Sequence, residues 1–168
     1  MIATLDAAYR GDVGSGACVL FEDWSSAAPS RIVTARVEKV AAYIPGAFYQ
    51  RELPVILAAL RAAAAPPVCV IVDGYVWLDR AGAPGLGAHL YDALDRQAPV
   101  IGVAKSSYRD DDWSERVTRG KGDRPLYIST AGVAPAEAGC LIASMAGKHR
   151  VPDMLNLADR KARREAGI

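Results

Sequence analysis

Long hydrophobic runs are missing from this chain, and so are paired cysteines and clusters of histidine. The longest apolar stretches, such as 62–72, are broken by proline and are too short to cross a bilayer. The opening "MIATLDAAYRGD" has no basic region followed by a long apolar stretch. No secretory signal is therefore expected, and a cytoplasmic setting is the default. Cys18, Cys69 and Cys140 stand apart with no CxxC pair, and only two histidines are present. That leaves little material for a zinc site and points to reduced cysteines buried in apolar surroundings. Nor is there a large excess of one charge: 20 Lys and Arg against 19 Asp and Glu give +1. The imbalance is local, because "KHR" at 148–150 and "DRKARRE" at 159–165 make the C-terminal end basic. On charge alone this is a solvated helix end.

What is present suits a soluble globular protein. With 168 residues, 51% hydrophobic and 23% charged, the chain is expected to form one domain over 1–168 around a proper core. "MIATLDAAY" alternates Ile2, Thr4 and Asp6 with Ala3, Leu5 and Ala7, which predicts a strand. "GACVLFED" and "SRIVTARVEKV" predict two more, joined by short turns into an antiparallel meander. Leu53, Ile56, Leu57 and Leu60 recur at helical spacing and predict a helix over about 47–64, stopped by Pro66-Pro67. Pro54 fits near its first turns, where a missing N–H costs little.

"PVCVIVDG" is a continuous apolar run, the pattern of a strand covered on both faces. A helix around 85–96, the buried strand "PVIGVAK", the short strand "PLYIST" and the helix "PAEAGCLIASMAGK" follow, ending in a basic helical tail. "SSYRDDDWSERVTRGKGDR" reads as a polar loop. The fold class is α/β: three antiparallel strands, then alternating helices and parallel strands, with helices on both faces. Ligands of such sheets gather at the carboxyl ends of the parallel strands. Asp6 and Asp73 are expected side by side at that edge.

An isolated carboxylate leaves water at a large cost unless it is paired or bound to a cation. Asp6 lies on an otherwise apolar strand, Asp73 ends a buried run, and Glu52 on the first helix can reach the same point. Three converging carboxylates with few basic partners suggest a divalent cation such as Mg²⁺, which takes carboxylates, water and phosphate oxygens. Either aspartate alone would serve equally as a turn residue capping backbone amides. Lys105 ends "PVIGVAK" at the same rim, where it could hold a phosphate oxygen, orient a water or be solvated. Gly46, Gly74 and Gly85 would let a base or sugar approach the backbone closely.

These residues carry a resemblance. "TLDAAYRGD", "YIPGAFYQRE", "VIVDG", "GLGAHLYDAL", "PVIGVAKS", "PLYIS" and "HRVPDMLNLADR" occur in family order and resemble the endonuclease V family over most of the chain. The resemblance implies a ribonuclease H-like fold and a Mg²⁺-dependent nuclease (Mn²⁺ also serving) acting on inosine in DNA or RNA. It implies hydrolysis on the 3′ side of the lesion, in a DNA-repair role. It implies that Asp6, Glu52 and Asp73 bind metal and that Lys105 is the active-site lysine. Tyr43, Ile44, Pro45 and Gly46 match the family's wedge. Gly46, Phe48, Gly74 and Gly85 match the pocket for the displaced base, and His89 matches a helical histidine whose role is either structural or direct.

Nucleic acid is then the expected partner, with no membrane and no protein partner. Several positions depart from the family. Gly132 stands where the family has a histidine near the metals, and Tyr75 stands where histidine is common. The segment 106–126 is shortened, and a helical segment ahead of the first strand has no counterpart. The alternatives are a nuclease of the same fold with altered substrate, or a nucleic-acid-binding homologue with little turnover.

Overall fold

The computed structural model describes residues 1–64, 66–109 and 111–168. The predicted meander is present as β1 (Ile2–Arg10), β2 (Val13–Phe21) and β3 (Arg31–Val37), each antiparallel to the next. Helix α1 (Tyr49–Ala62) returns the chain to β4 (Cys69–Asp73), which pairs parallel with β1. Helix α2 (Leu86–Ala93) leads into β5 (Val100–Ala104), parallel to β4. Then come β6 (Glu115–Val117), β7 (Leu126–Ala131), α3 (Pro135–Ser144) and α4 (Asp153–Ala166). The seven strands form one sheet in the order β3-β2-β1-β4-β5-β7-β6.

Period-two alternation decides what each face buries. Ala3, Leu5, Cys18, Leu20, Val70, Val72 and Val100 pack on one face with Ile56 and Leu60 of α1 and Leu90 of α2. Ile2, Val19, Phe21, Ile71, Ile101 and Ile128 pack on the other with Ile142 of α3 and Met154 and Leu155 of α4. Helices thus cover both faces, as the fold class required. Helix α1 comes close to the sheet because β2 carries glycine beneath it: a Cβ on Gly16 would lie 2.5 Å from the Val55 carbonyl oxygen. Gly16→Ala should therefore cost about 1–3 kcal/mol through overpacking, read as a lower urea midpoint with an unchanged slope.

Four local expectations differ from what the chain does. The "PLYIST" strand β7 runs antiparallel to β5, so the sheet has an antiparallel flank on each side of its parallel centre. The polar stretch 106–124 contributes the edge strand β6, with Val117 buried against α3. Only three residues long, it has too little alternation to announce itself. The basic tail is the far part of α4, whose Met154, Leu155, Ala158, Ala162 and Ala166 are buried. Cys18 and Cys69 are buried as expected, but Cys140 lies on the exposed side of α3. Among the described residues no helix is long and apolar enough to cross a membrane.

Candidate active site

Strand register alone puts two carboxylates together. Leu5 pairs with Val72 across the parallel β1–β4 ladder, leaving Asp6 and Asp73 as the next residue on each strand. Both share parity with the face covered by α3 and α4, whereas Glu52 arrives on the first turn of α1 from the opposite face. All three line one cavity of about 450 Å³ at the carboxyl ends of the strands. Gly46, Phe48, Gly74 and Gly85 line it too. Lys105, one residue beyond β5, closes the rim by donating from Nζ to Asp73 Oδ2.

The electrostatics are those of negative charges held out of water. Burial first, then the neighbouring Asp73, raises Asp6 to about 7, against the 2.7 Å hydrogen bond that Asp6 Oδ1 accepts from the Ala7 N–H. Burial, then Asp6 and Asp73, raises Glu52 to about 8; its residue is only 8% exposed. Burial works against the Lys105 ammonium, but the hydrogen bond to Asp73 and the charges of Asp73, Asp6 and Asp159 leave it raised. Among the described residues, no three His, Cys, Asp or Glu side chains close into a metal-coordinating cluster. Asp73 is turned to Lys105 instead. The donor chemistry still fits a hard divalent cation. Glu52 is buried and Asp6 half-buried, neither is in a salt bridge among the described residues, and a cation would replace the protons they otherwise retain.

The glycines divide by what surrounds them. Gly74 has φ +117, and a Cβ there would meet nothing within 4 Å, so the backbone is bare toward the cavity. At Gly85 a Cβ would lie 2.5 Å from the Tyr75 carbonyl oxygen, so this glycine is required by the packing of α2 on the 75–76 backbone. The packing adds a second reason for glycine here, and Gly85 also lines the cavity.

Tyr43, Ile44 and Pro45 lie outside the cavity on an exposed loop, with Tyr43 63% exposed. Phe48 joins that loop to the site, its ring 5.8 Å from Tyr43 and 6.2 Å from Tyr9. Arg51 pins the same loop to the β1–β2 turn through hydrogen bonds to the Ala41 and Gly11 carbonyls, with its guanidinium over the Tyr9 ring. This work of Arg51 is invisible in the sequence. His89 does not line the cavity; it stacks on Tyr49 at 3.6 Å and ties α2 to α1.

Two further positions change the sequence reading. Gly132 follows β7, whose antiparallel register places Ala131 opposite Val100, at the far end of β5 from Lys105. A Cβ there would meet Tyr91, 3.0 Å from its hydroxyl. A histidine at this position would sit at the wrong edge of the sheet, so its absence removes nothing from the carboxylate site. Asp159 of α4 was not among the expected site residues, yet its charge acts on both Asp6 and Lys105. It also accepts from Arg163 at 2.8 Å. A signal was available: Asp159 borders the Ala158–Ala162 buried stripe of an otherwise basic helix.

A sequence model of the endonuclease V family matches residues 1–122. An endonuclease V from Desulfurococcus amylolyticus is 36% identical over 104 residues, 62% of this chain and 46% of that protein. The chain thus spans about half the length of that relative. The crystal structure of endonuclease V from Streptomyces avermitilis superposes with a TM-score of 0.80 at 27% identity, covering 99% of this chain and 81% of that one. The Ciona intestinalis endonuclease V, crystallised with a 24mer DNA containing an inosine followed by a ribo-adenosine, shares the fold. Its TM-score is 0.79 at 17% identity, with 99% of this chain and 85% of that chain covered. By sequence and by fold, this chain belongs to the endonuclease V family.

Proposed function

We propose that the protein is an endonuclease dependent on a divalent cation, Mg²⁺ or Mn²⁺, that hydrolyses the phosphodiester on the 3′ side of inosine in DNA or RNA. The observation that carries this reading is the pair of poorly solvated carboxyls, half-buried Asp6 and buried Glu52, facing an open cavity beside Asp73 and Lys105. A cation held by Asp6, Glu52 and Asp73 would activate water and steady the leaving 3′ oxygen. Lys105, held against Asp73, would offer its ammonium to a phosphate oxygen once a cation takes over that carboxylate.

The substrate reading rests on the family and on the bare backbone at Gly74. Tyr43, Ile44, Pro45 and Gly46 form the exposed wedge that would part the stack, at a cost of about a few kcal/mol. The displaced base would then enter beside Phe48, Gly74 and Gly85. With a net charge of only +1, binding should be salt-sensitive through only a few phosphate contacts.

Single-turnover cleavage of matched strands with and without inosine, as DNA and as RNA in Mg²⁺, tests the proposal. Cleavage confined to inosine strands is expected. Equal cleavage of both strands would instead identify a nuclease of altered substrate, and tight binding without cleavage would identify a binding protein.

A further inference from the structure

A second cavity of about 450 Å³ lies across the 77–84 segment from the catalytic one. The segment is a hairpin closed by a bridge between Trp77 and Pro84. Leu78 and Pro84 line the catalytic cavity, whereas Trp77, Asp79 and Gly82 line the second, so one hairpin is the wall between them. Trp113 and Arg80 complete its lining among the described residues.

Both tryptophans are half-exposed, yet both are held, Trp77 by its indole and Trp113 by its backbone and by a ring packed on its own. Trp77 Nε1 donates to the Thr130 carbonyl at 2.9 Å. The backbone N–H of Trp113 donates to Asp111 Oδ1 at 3.1 Å, and the backbone N–H of Ser114 donates to the same oxygen at 2.9 Å. Asp111 is itself buried, and its other oxygen accepts from the Tyr75 hydroxyl at 2.7 Å. The Tyr75 ring braces Trp113 at 5.6 Å, tilted by 52°. Tyr75 lines the catalytic cavity, so the support of Trp113 is continuous with that site.

The charges near the second cavity are already committed. Arg80 forks onto both oxygens of Asp112, at 3.1 and 3.0 Å, and Asp79 accepts the Ala83 N–H at 3.0 Å. Among its described lining residues there is no unpaired cation for a phosphate. What the cavity offers is aromatic surface on two rigid mounts. Such surface takes flat heteroaromatic rings, which stack on it with little regard for sequence.

We propose that this cavity is a stacking subsite for one unpaired nucleobase of the substrate strand, a neighbour of the base admitted to the catalytic cavity. The proposal rests on the endonuclease reading above. It gives the enzyme a grip on the strand that is independent of inosine and of the metal.

The test is fluorescence anisotropy with a labelled single-stranded inosine oligonucleotide, Ca²⁺ replacing Mg²⁺, and a series of the same strand with one abasic site moved along it. Trp113→Leu keeps apolar volume but not the ring, and should weaken binding of the intact strand about 10-fold. Trp113→Phe keeps a ring and should retain most of the affinity, which separates stacking from a folding defect. One abasic position should cost the wild type a similar factor and cost Trp113→Leu nothing. The subsite is overturned if Trp113→Leu binds the intact strand as the wild type does, or if no abasic position is coupled to it. Wild-type cleavage of inosine strands is scored separately. Cleavage without a coupled position sinks the subsite alone, whereas a wild type that neither binds nor cuts any strand sinks the endonuclease reading.

Discussion

Asp6→Asn should slow single-turnover cleavage by at least about 10³-fold while leaving the protein folded and able to bind an inosine-containing strand. The carboxamide keeps the shape of the carboxylate and an oxygen for the Ala7 N–H that Asp6 Oδ1 accepts. What it removes is the negative charge that a cation needs. Metal-ion stabilisation of a transition state is worth several kcal/mol, and each 1.4 kcal/mol is a factor of ten in rate. Folding should not suffer, because an amide is less costly to bury than a charge beside Asp73 and Asp159. Unaltered cleavage by Asp6→Asn would overturn the assignment of the metal site, and loss of the folded state would show Asp6 to be structural.

Stripped of divalent cation, the protein should lose stability as the pH rises from about 5 to about 8. Asp6 is raised from 3.8 to about 7 and Glu52 from 4.5 to about 8 in the folded state, chiefly by burial. Below about pH 4 the folded and unfolded chains both carry these protons, and the two groups contribute fully to stability. Between that range and about 7–8 the unfolded chain has released them while the folded chain retains them. Stability therefore falls as pH climbs through this window, by on the order of a few kcal/mol for the pair.

A cation that displaces the protons makes the folded state the binding state and should flatten or reverse the slope. Glu52→Gln should make it shallower without metal, since the amide has no proton to lose and only Asp6 still titrates out of the folded state. Urea denaturation in EDTA and in Mg²⁺ across this range checks all three. Equal stability at pH 5 and 8 in EDTA would mean the carboxyls are solvated in the metal-free protein.

The order of strands and helices was legible because its signals are local. β1 reads from alternation, β4 and β5 from unbroken apolar runs, and α1 from the spacing of Leu53, Ile56, Leu57 and Leu60, of which Ile56 and Leu60 are buried. The pairing of Asp6 with Asp73 was legible too, since parallel neighbours with matched ends bring equivalent positions together. The direction of β7 was not, because a short apolar run reads the same for either orientation. That direction sends Gly132 to the far edge and removes it from the metal-site argument. The polar segment around Trp113 gave no sign that Asp111 would tie it to Tyr75, since that bond joins residues 36 apart in the chain.

By itself, then, the sequence determined the elements other than β6, the faces they bury and the three candidate carboxylates, for these follow from periodicity and from matched motifs. Tertiary structure decided that the charge of Asp159 comes to bear on Asp6, that Arg51 anchors the loop carrying Ala41, that His89 stacks on Tyr49 instead of lining the cavity, and that two tryptophans line a second one. Each of these depends on side chains meeting across distant segments. Burial and like-charge crowding are properties of those meetings, and no window of neighbouring residues contains them.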